Sequence, residues 1–344
     1  MKILVYDIAA REGGGGAQVL ENYFRRAIRD TDHEWWFVVT LPKYLDRACD
    51  HVHVVCPDIS RGSKPLRYAL RKRFELTGLR KLCREVRPDE ILSLQNMPAP
   101  VSGFSQTVYL HQSFQFAPVR FRFTRPEERS FAVRQRIICP VIRRKLRGAD
   151  RVIVQTEWMK EAAAAWAKYP PERIRVERPE VSAPENYVRP EREENVFFYP
   201  ASAYLNKNHR VLLDACRLLK ERGIRDYRVD FTFAPDANAI ARSLSAEAER
   251  DGLPVRFIGH LDRAEVFRRY GAQIMLFPSY VETFGLPLEE CKTVGGEVIA
   301  SDLPFAREVL GSWERATFVP WQEPGRWADA MAERIRTKSP SGEK

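Results

Sequence analysis

The sequence predicts an α/β protein built from two parallel-sheet domains. Short apolar runs of strand length alternate with helical patterns in both halves of the chain, which is how parallel strands and crossover helices read. At 344 residues the chain is long enough for two ordinary cores. Between the halves, a proline-punctuated stretch from 170 to 190 has charges but little periodicity, as an interdomain connection does. The expected division is residues 1–185, residues 186–325, and a final helix and tail over 326–344.

Composition narrows the partners. A net charge of +10 and a pI near 9.4 imply attraction to something anionic: a nucleotide, a phospholipid surface or nucleic acid. Cys49, Cys56, Cys83, Cys139, Cys216 and Cys291 are scattered without C-x-x-C spacing. They argue for neither a zinc site nor a disulfide framework, so a reducing cytoplasm is expected. No apolar run approaches the roughly 18 residues of a spanning helix, so the expected protein is soluble or peripheral.

In the first half, Ile3 to Tyr6 reads as a strand. The glycine loop from Arg11 to Gln18 follows and leads into a helix carrying Val19, Leu20, Tyr23 and Phe24. Gly15 and Gly16 in that loop allow close backbone approach to a phosphate or sugar. Further strands are expected at Trp35–Thr40, His51–Cys56, Glu90–Leu94 and Thr107–Leu110, and around Val152–Val154. His111 follows the end of one of them, where an α/β active-site loop starts. Two segments, Arg61–Arg87 and Val119–Arg147, each hold ten Lys or Arg against two Glu, with apolar residues interleaved. Such segments suit a core-packed helix with a solvated basic face, or a helix that meets anionic lipid. No helix-turn-helix or RNA-binding aromatic signature is present, so nucleic acid is not expected.

In the second half, Val196–Pro200 begins a buried strand. Its loop carries Ser202, Asn206 and Lys207 into a helix of Val211, Leu212, Ala215 and Leu218. A lysine at such a turn is a natural counter-charge for a diphosphate. Strands follow at Val229–Phe233 and Val255–Ile258, the second leading to Gly259, His260 and Asp262, the last an expected helix cap. The strand Ile274–Phe277 then breaks at Pro278 and Ser279 and runs through Glu282, Thr283 and Phe284 to a helix expected to start near Gly285 or Leu286. Pro287 suits a first turn and Glu290 lies about one turn further in. Two carboxylates would flank free amides, an arrangement suited to a nucleotide carrying a sugar. The strand Val298–Ala300 and a last amphipathic helix from Trp327 to Ile335 complete the reading.

The run Pro278, Ser279, Glu282, Phe284, Gly285, Leu286, Pro287 and Glu290, continued through Gly296, Val298 to Pro304 and Glu308, resembles the E-x7-E motif of family 4 glycosyltransferases. The resemblance spans about residues 196–310. It implies a GT-B fold, two Rossmann-like parallel-sheet domains facing across a cleft, and a retaining transferase that needs no metal or other cofactor. A nucleotide sugar would be the donor, and a glycan or lipid-linked molecule the acceptor, in bacterial cell-surface polysaccharide assembly. The implied catalytic residues are Glu282, Lys207 and His111. The implied donor contacts are Gly15, Gly16, Ser202, Asn206, Lys207, Gly259, His260, Glu282, Thr283, Phe284, Gly285, Leu286 and Glu290. Family members carry an Arg and a Lys near Lys207; here Ser202 or Ala203 stands where the Arg is expected. The basic segments add an anionic membrane surface as a partner, with a cytoplasmic or peripheral location. Two other readings share the donor pocket: a GT-B sugar-nucleotide epimerase, and a non-catalytic partner subunit that retains the fold.

Overall fold

The computed structural model describes residues 1–10 and 15–335. Its chain forms two compact units, Met1–Gln112 with Gln135–Pro179, and Ser113–Arg134 with Glu180–Lys344.

In the first unit, seven strands are found among the described residues: β1 (Lys2–Asp7), β2 (Glu34–Val39), β3 (Val52–Val55), β4 (Glu90–Ser93), β5 (Ser105–Tyr109), β6 (Arg151–Val154) and β7 (Ile174–Val176). All pair in parallel, in the order β3-β2-β1-β4-β5-β6-β7. The helix Gly15–Arg29 packs Val19, Leu20, Tyr23 and Phe24 into one side of the core, the face its apolar spacing predicts. The other side is closed by Leu79 and Cys83 from the helical run over residues 64–86.

One sequence expectation is corrected here. Residues 174–176 lie inside the stretch read as connection, yet form the edge strand β7 beside β6. Three residues bounded by prolines are too few to show a period, so only the neighbouring strand reveals them.

Asp7 ends β1 with 3% of its surface exposed, and its Oδ1 accepts from the amides of Ala9 and Ala10 at 3.1 and 2.9 Å. Burial raises its carboxyl to about 6, against the pull of those two bonds and the Arg71 charge. The unfolded chain titrates near 4, so between about pH 4 and 6 the native state holds more protons than the unfolded state. Stability therefore falls as pH rises through that window. Asp7→Asn keeps an acceptor for both amides. It is expected to flatten this slope and to stabilise the protein at pH 7 by up to ~3 kcal/mol, about two pK units at ~1.4 kcal/mol each. Denaturant titrations of both proteins at pH 4 and pH 7 check this; equal slopes would refute it.

In the second unit, six parallel strands are found among the described residues: β8 (Val196–Tyr199), β9 (Arg228–Phe231), β10 (Val255–Phe257), β11 (Ile274–Phe277), β12 (Glu297–Ser301) and β13 (Ala316–Val319). Their order, β10-β9-β8-β11-β12-β13, reverses direction between β8 and β11, as the first sheet does between β1 and β4. The core is aromatic, with Phe197, Phe198, Tyr199, Phe231, Phe277 and Trp327 at most 2% exposed. Asp262 caps the helix Arg263–Ala272 by accepting from the Glu265 amide at 2.8 Å.

The basic stretch 119–147 does not stay in one unit. Residues up to Arg134 cluster with the second, where Phe121 and Ala132 pack against Tyr280 and Val281. Periodicity within a segment cannot reveal which sheet its apolar side meets, so two basic segments in a single domain were expected. Among the described residues no helix is long and apolar enough to cross a membrane, and all six cysteines are free.

Candidate active site

A doubly wound sheet opens a crevice at its carboxyl edge where strand order reverses, because neighbouring loops there leave in opposite directions. In the second unit that position lies between the loops after β8 and β11. The first carries Lys207 and the second Glu282, so topology alone brings together residues 75 apart in sequence.

The two loops are stitched at close range. The Asn206 carbonyl accepts from the Tyr280 amide and from Ser279 Oγ, both at 3.1 Å. Asn206 Nδ2 donates to the Val281 carbonyl at 3.3 Å, and Asn208 Nδ2 to those of Pro278 at 3.3 Å and Trp321 at 2.8 Å. Lys207 Nζ forms an ion pair with Glu282 Oε1, which shares the single Ser279 hydroxyl proton with the Asn206 carbonyl and lies the nearer of the two, 2.7 Å from Ser279 Oγ. Both charged side chains remain about one-fifth exposed and Ser279 is fully buried. Tyr199 and His209 lie buried in the same loop region, their rings 4.6 Å apart. Burial, with the Lys207 charge adding to it, pushes the His209 imidazole down to about 3, so the ring is neutral. Burial also pushes the Tyr199 hydroxyl well above its usual range, with the Glu282 charge adding. The ion pair thus rests on neutral aromatic surface. Tyr280 supports the Glu282 loop from its other side, its ring 4.7 Å from Trp321 and 6.5 Å from Phe121.

Gly285 follows at φ 82° and caps the helix Leu286–Thr293. A Cβ at this position would approach Leu288 Cδ1 to 3.1 Å, so glycine answers both the left-handed backbone and the close packing. Pro287 has no N–H and the Leu288 amide turns back to the Gly285 carbonyl at 2.8 Å. Among the described residues, the amides of Phe284, Gly285 and Leu286 donate no hydrogen bond. Thr283 is half-buried in the loop and Phe284 is buried.

Glu290 lies one turn further on. Its Oε2 accepts from the Tyr270 hydroxyl at 3.0 Å and its Oε1 from Arg263 at 3.2 Å. Arg263 also donates to the Ser182 carbonyl at 2.8 Å. Burial raises the Glu290 carboxyl, and these two partners oppose the rise. Gly259 (φ 78°) and the exposed His260 follow β10, two strands from β8 and hence roughly 10 Å from it. Ser202 is exposed at the start of the Lys207 loop.

In the first unit, the carboxyl edge holds His111 and the start of the helix Gly15–Arg29. Of the glycine loop, Arg11 to Gly14 lie outside the described residues. Gly16 faces His111 so closely that a Cβ there would stand 3.4 Å from the ring's Cε1. The His111 amide donates to Asn96 Oδ1 at 2.8 Å, and Nε2 bonds the Leu94 carbonyl at 2.9 Å, which requires the proton on Nε2. Burial lowers the ring's pKa. A neutral imidazole with Nδ1 left as acceptor results.

Sequence reasoning singled out Lys207, Glu282 and Glu290, quoted Ser279 within the motif without giving it a role, and missed Arg263 and Tyr270; these three hold the two carboxylates. Arg263 and Tyr270 share a helix at a spacing of seven residues, one face of two turns, which in sequence reads as ordinary helix amphipathicity.

With this geometry, the chain can be compared with known proteins. Residues 185–341 match the family model described as glycosyl transferases group 1. Sucrose-phosphate synthase from Thermosynechococcus elongatus superposes with a TM-score of 0.73 at 18% identity, over 96% of this chain and 89% of that one. HepE of Anabaena in complex with UDP-glucose gives 0.67 at 15% identity, over 97% and 89%. WaaG, a glycosyltransferase involved in lipopolysaccharide biosynthesis, gives 0.66 at 14% identity, over 96% and 90%. No curated protein sequence matches the chain. The fold is that of GT-B glycosyltransferases, with parallel sheets of seven and six strands.

Proposed function

We propose that this protein is a retaining glycosyltransferase of family 4 type, moving a sugar from a nucleotide sugar to a glycan or lipid-linked acceptor. The observation that carries this is the Lys207–Glu282 pair at the strand-order reversal, beside the Gly285 helix start and within the segment that matches the family model.

Lys207 and the amides of Phe284 to Leu286 would take the diphosphate, stabilising its charge as the glycosidic bond breaks. Glu290 would accept from the ribose hydroxyls, with Gly259 and His260 against the base. Glu282 would accept from hydroxyls of the transferred sugar. His111, through Nδ1, is the first unit's proposed hydroxyl contact, with Gly15 and Gly16 beside it. Asn206 acts by bracing the two loops, since its amide is engaged with Val281. Lysine and helix dipole supply the charge that a divalent cation supplies elsewhere, so magnesium should be dispensable. Attack on the face the leaving phosphate vacates would retain the anomeric configuration.

A thermal-shift panel of nucleoside diphosphates and sugar nucleotides, run with and without magnesium, tests the donor site. A selective, metal-independent rise supports the reading, and UDP and UDP-glucose, the ligands of the Anabaena structures, are the first to try. Flat melting curves throughout the panel would end it.

For the acceptor, the first unit exposes Leu66, Tyr68 and Leu76 at 46, 66 and 56% among the basic residues of 61–87, with Ile137 and Val141 exposed beside Arg136 and Arg143. We infer a peripheral contact with the anionic inner face of a cell membrane, where lipid-linked acceptors reside. Co-sedimentation with anionic vesicles at low salt, released by added salt, is the expected result; failure to sediment removes this part.

A further inference from the structure

Tyr199, the last residue of β8, is fully buried beside the Lys207–Glu282 pair. Its ring packs against His209 at 4.6 Å and Phe277 at 5.9 Å. The hydroxyl is buried as well, and among the described residues it has no hydrogen-bond partner. A buried hydroxyl without a partner costs free energy that phenylalanine, of the same shape, would avoid. Tyrosine is therefore the poorer residue here unless its hydroxyl is used.

The groups that act on this hydroxyl are Ser279 and the Glu282 carboxylate. Both follow β11, the strand paired with β8, so the carboxyl ends of two neighbouring strands bring phenol and loop together. Burial, with the Glu282 charge adding, holds the proton on the phenol and keeps it a donor. Ser279 is where a further donor has an effect. Its hydroxyl has one proton and two claimants, the Asn206 carbonyl at 3.1 Å and Glu282 Oε1 at 2.7 Å. While Lys207 holds Glu282, the division matters little. On the roles proposed above, the donor diphosphate draws Lys207 away, and Oε1 then depends on a shared proton.

We propose that Tyr199 is a positioning residue for Glu282. Once Lys207 engages the diphosphate, the Tyr199 hydroxyl donates to Ser279 Oγ and the Ser279 hydroxyl turns fully to Glu282 Oε1. The chain then donates in one direction, from Tyr199 through Ser279 to Glu282, and leaves Oε2 to accept from a hydroxyl of the sugar. Aligned hydrogen bonds polarise one another, so the carboxylate is oriented without a second cation. This role rests on the glycosyltransferase reading and extends it to a side chain that touches no substrate.

Isothermal titration of Tyr199→Phe, Ser279→Ala and the double variant tests the chain. UDP-glucose and UDP are the probes, exchanged for another sugar nucleotide and its diphosphate if the thermal-shift panel selects a different base. Tyr199→Phe loses a hydroxyl that has no partner, so it is expected to melt no lower than the natural protein. Its affinity for the intact sugar nucleotide should fall about 3–10-fold, the worth of one hydrogen bond, with affinity for the diphosphate unchanged. Ser279→Ala should show the same split. The double variant should lose no more than Ser279→Ala alone, since both side chains are links of one chain. The proposal is overturned if Tyr199→Phe binds the sugar nucleotide as the natural protein does, if it loses both probes alike, or if the two substitutions add. A natural protein that binds the diphosphate yet gives any of these results keeps the glycosyltransferase reading and loses only the role of Tyr199. One that binds no nucleotide loses both.

Discussion

Lys207→Ala is expected to lower kcat/KM for glycosyl transfer by about 10²–10³-fold, the usual cost of removing one preorganised group from a developing anion. Two effects add. On the proposed roles, the diphosphate would lose its ammonium partner, and Glu282, left with Ser279 as its hydrogen-bond donor, would become an unneutralised carboxylate beside the leaving phosphate. The loss should follow the phosphates: affinity for a nucleoside diphosphate falls while that for the bare nucleoside changes little. Isothermal titration with both ligands separates these outcomes. Equal loss for nucleoside and diphosphate would move Lys207 away from the leaving group.

Glu290→Ala has the opposite signature. If Glu290 accepts from two ribose hydroxyls, removing two charge-assisted bonds at about 1.5–2 kcal/mol each costs about 10²–10³-fold in affinity, and nucleoside and diphosphate suffer alike. The buried Tyr270 hydroxyl also loses its partner, so some loss of stability is expected. Arg263→Ala leaves the carboxylate but frees its orientation, so a smaller loss of the same kind is expected. A Glu290 variant that weakens only the diphosphate would contradict the assignment.

The sequence revealed local signals well and tertiary ones poorly. β11 was read at its observed limits, and the helix start at Gly285 was set by Pro287 and a glycine, whose backbone demands are written in their own covalent structure. Lys207 and Glu282 were each legible from position in a strand–loop–helix unit. That they touch follows from strand order, which no window of sequence contains. The bracing contacts of Ser279, Arg263 and Tyr270 escaped for the same reason, and so did β7 and the docking of Phe121 against Tyr280. The departure at Ser202 was legible, and the structure leaves that position exposed with no arginine in it.

The contact between Lys207 and Glu282 has a consequence for which molecules the crevice retains. In the unliganded chain the cation is already neutralised by its own carboxylate, so a stray anion gains little by arriving. A sugar diphosphate can compensate both partners at once, phosphate oxygens for the ammonium and sugar hydroxyls for the carboxylate. On the proposed roles, the spent nucleotide left after transfer would satisfy only the ammonium, and the carboxylate would compete to recover it. The same two side chains would thus discriminate against partial ligands on entry and favour discharge of the spent nucleotide, making product inhibition weaker than affinity for the intact donor would suggest.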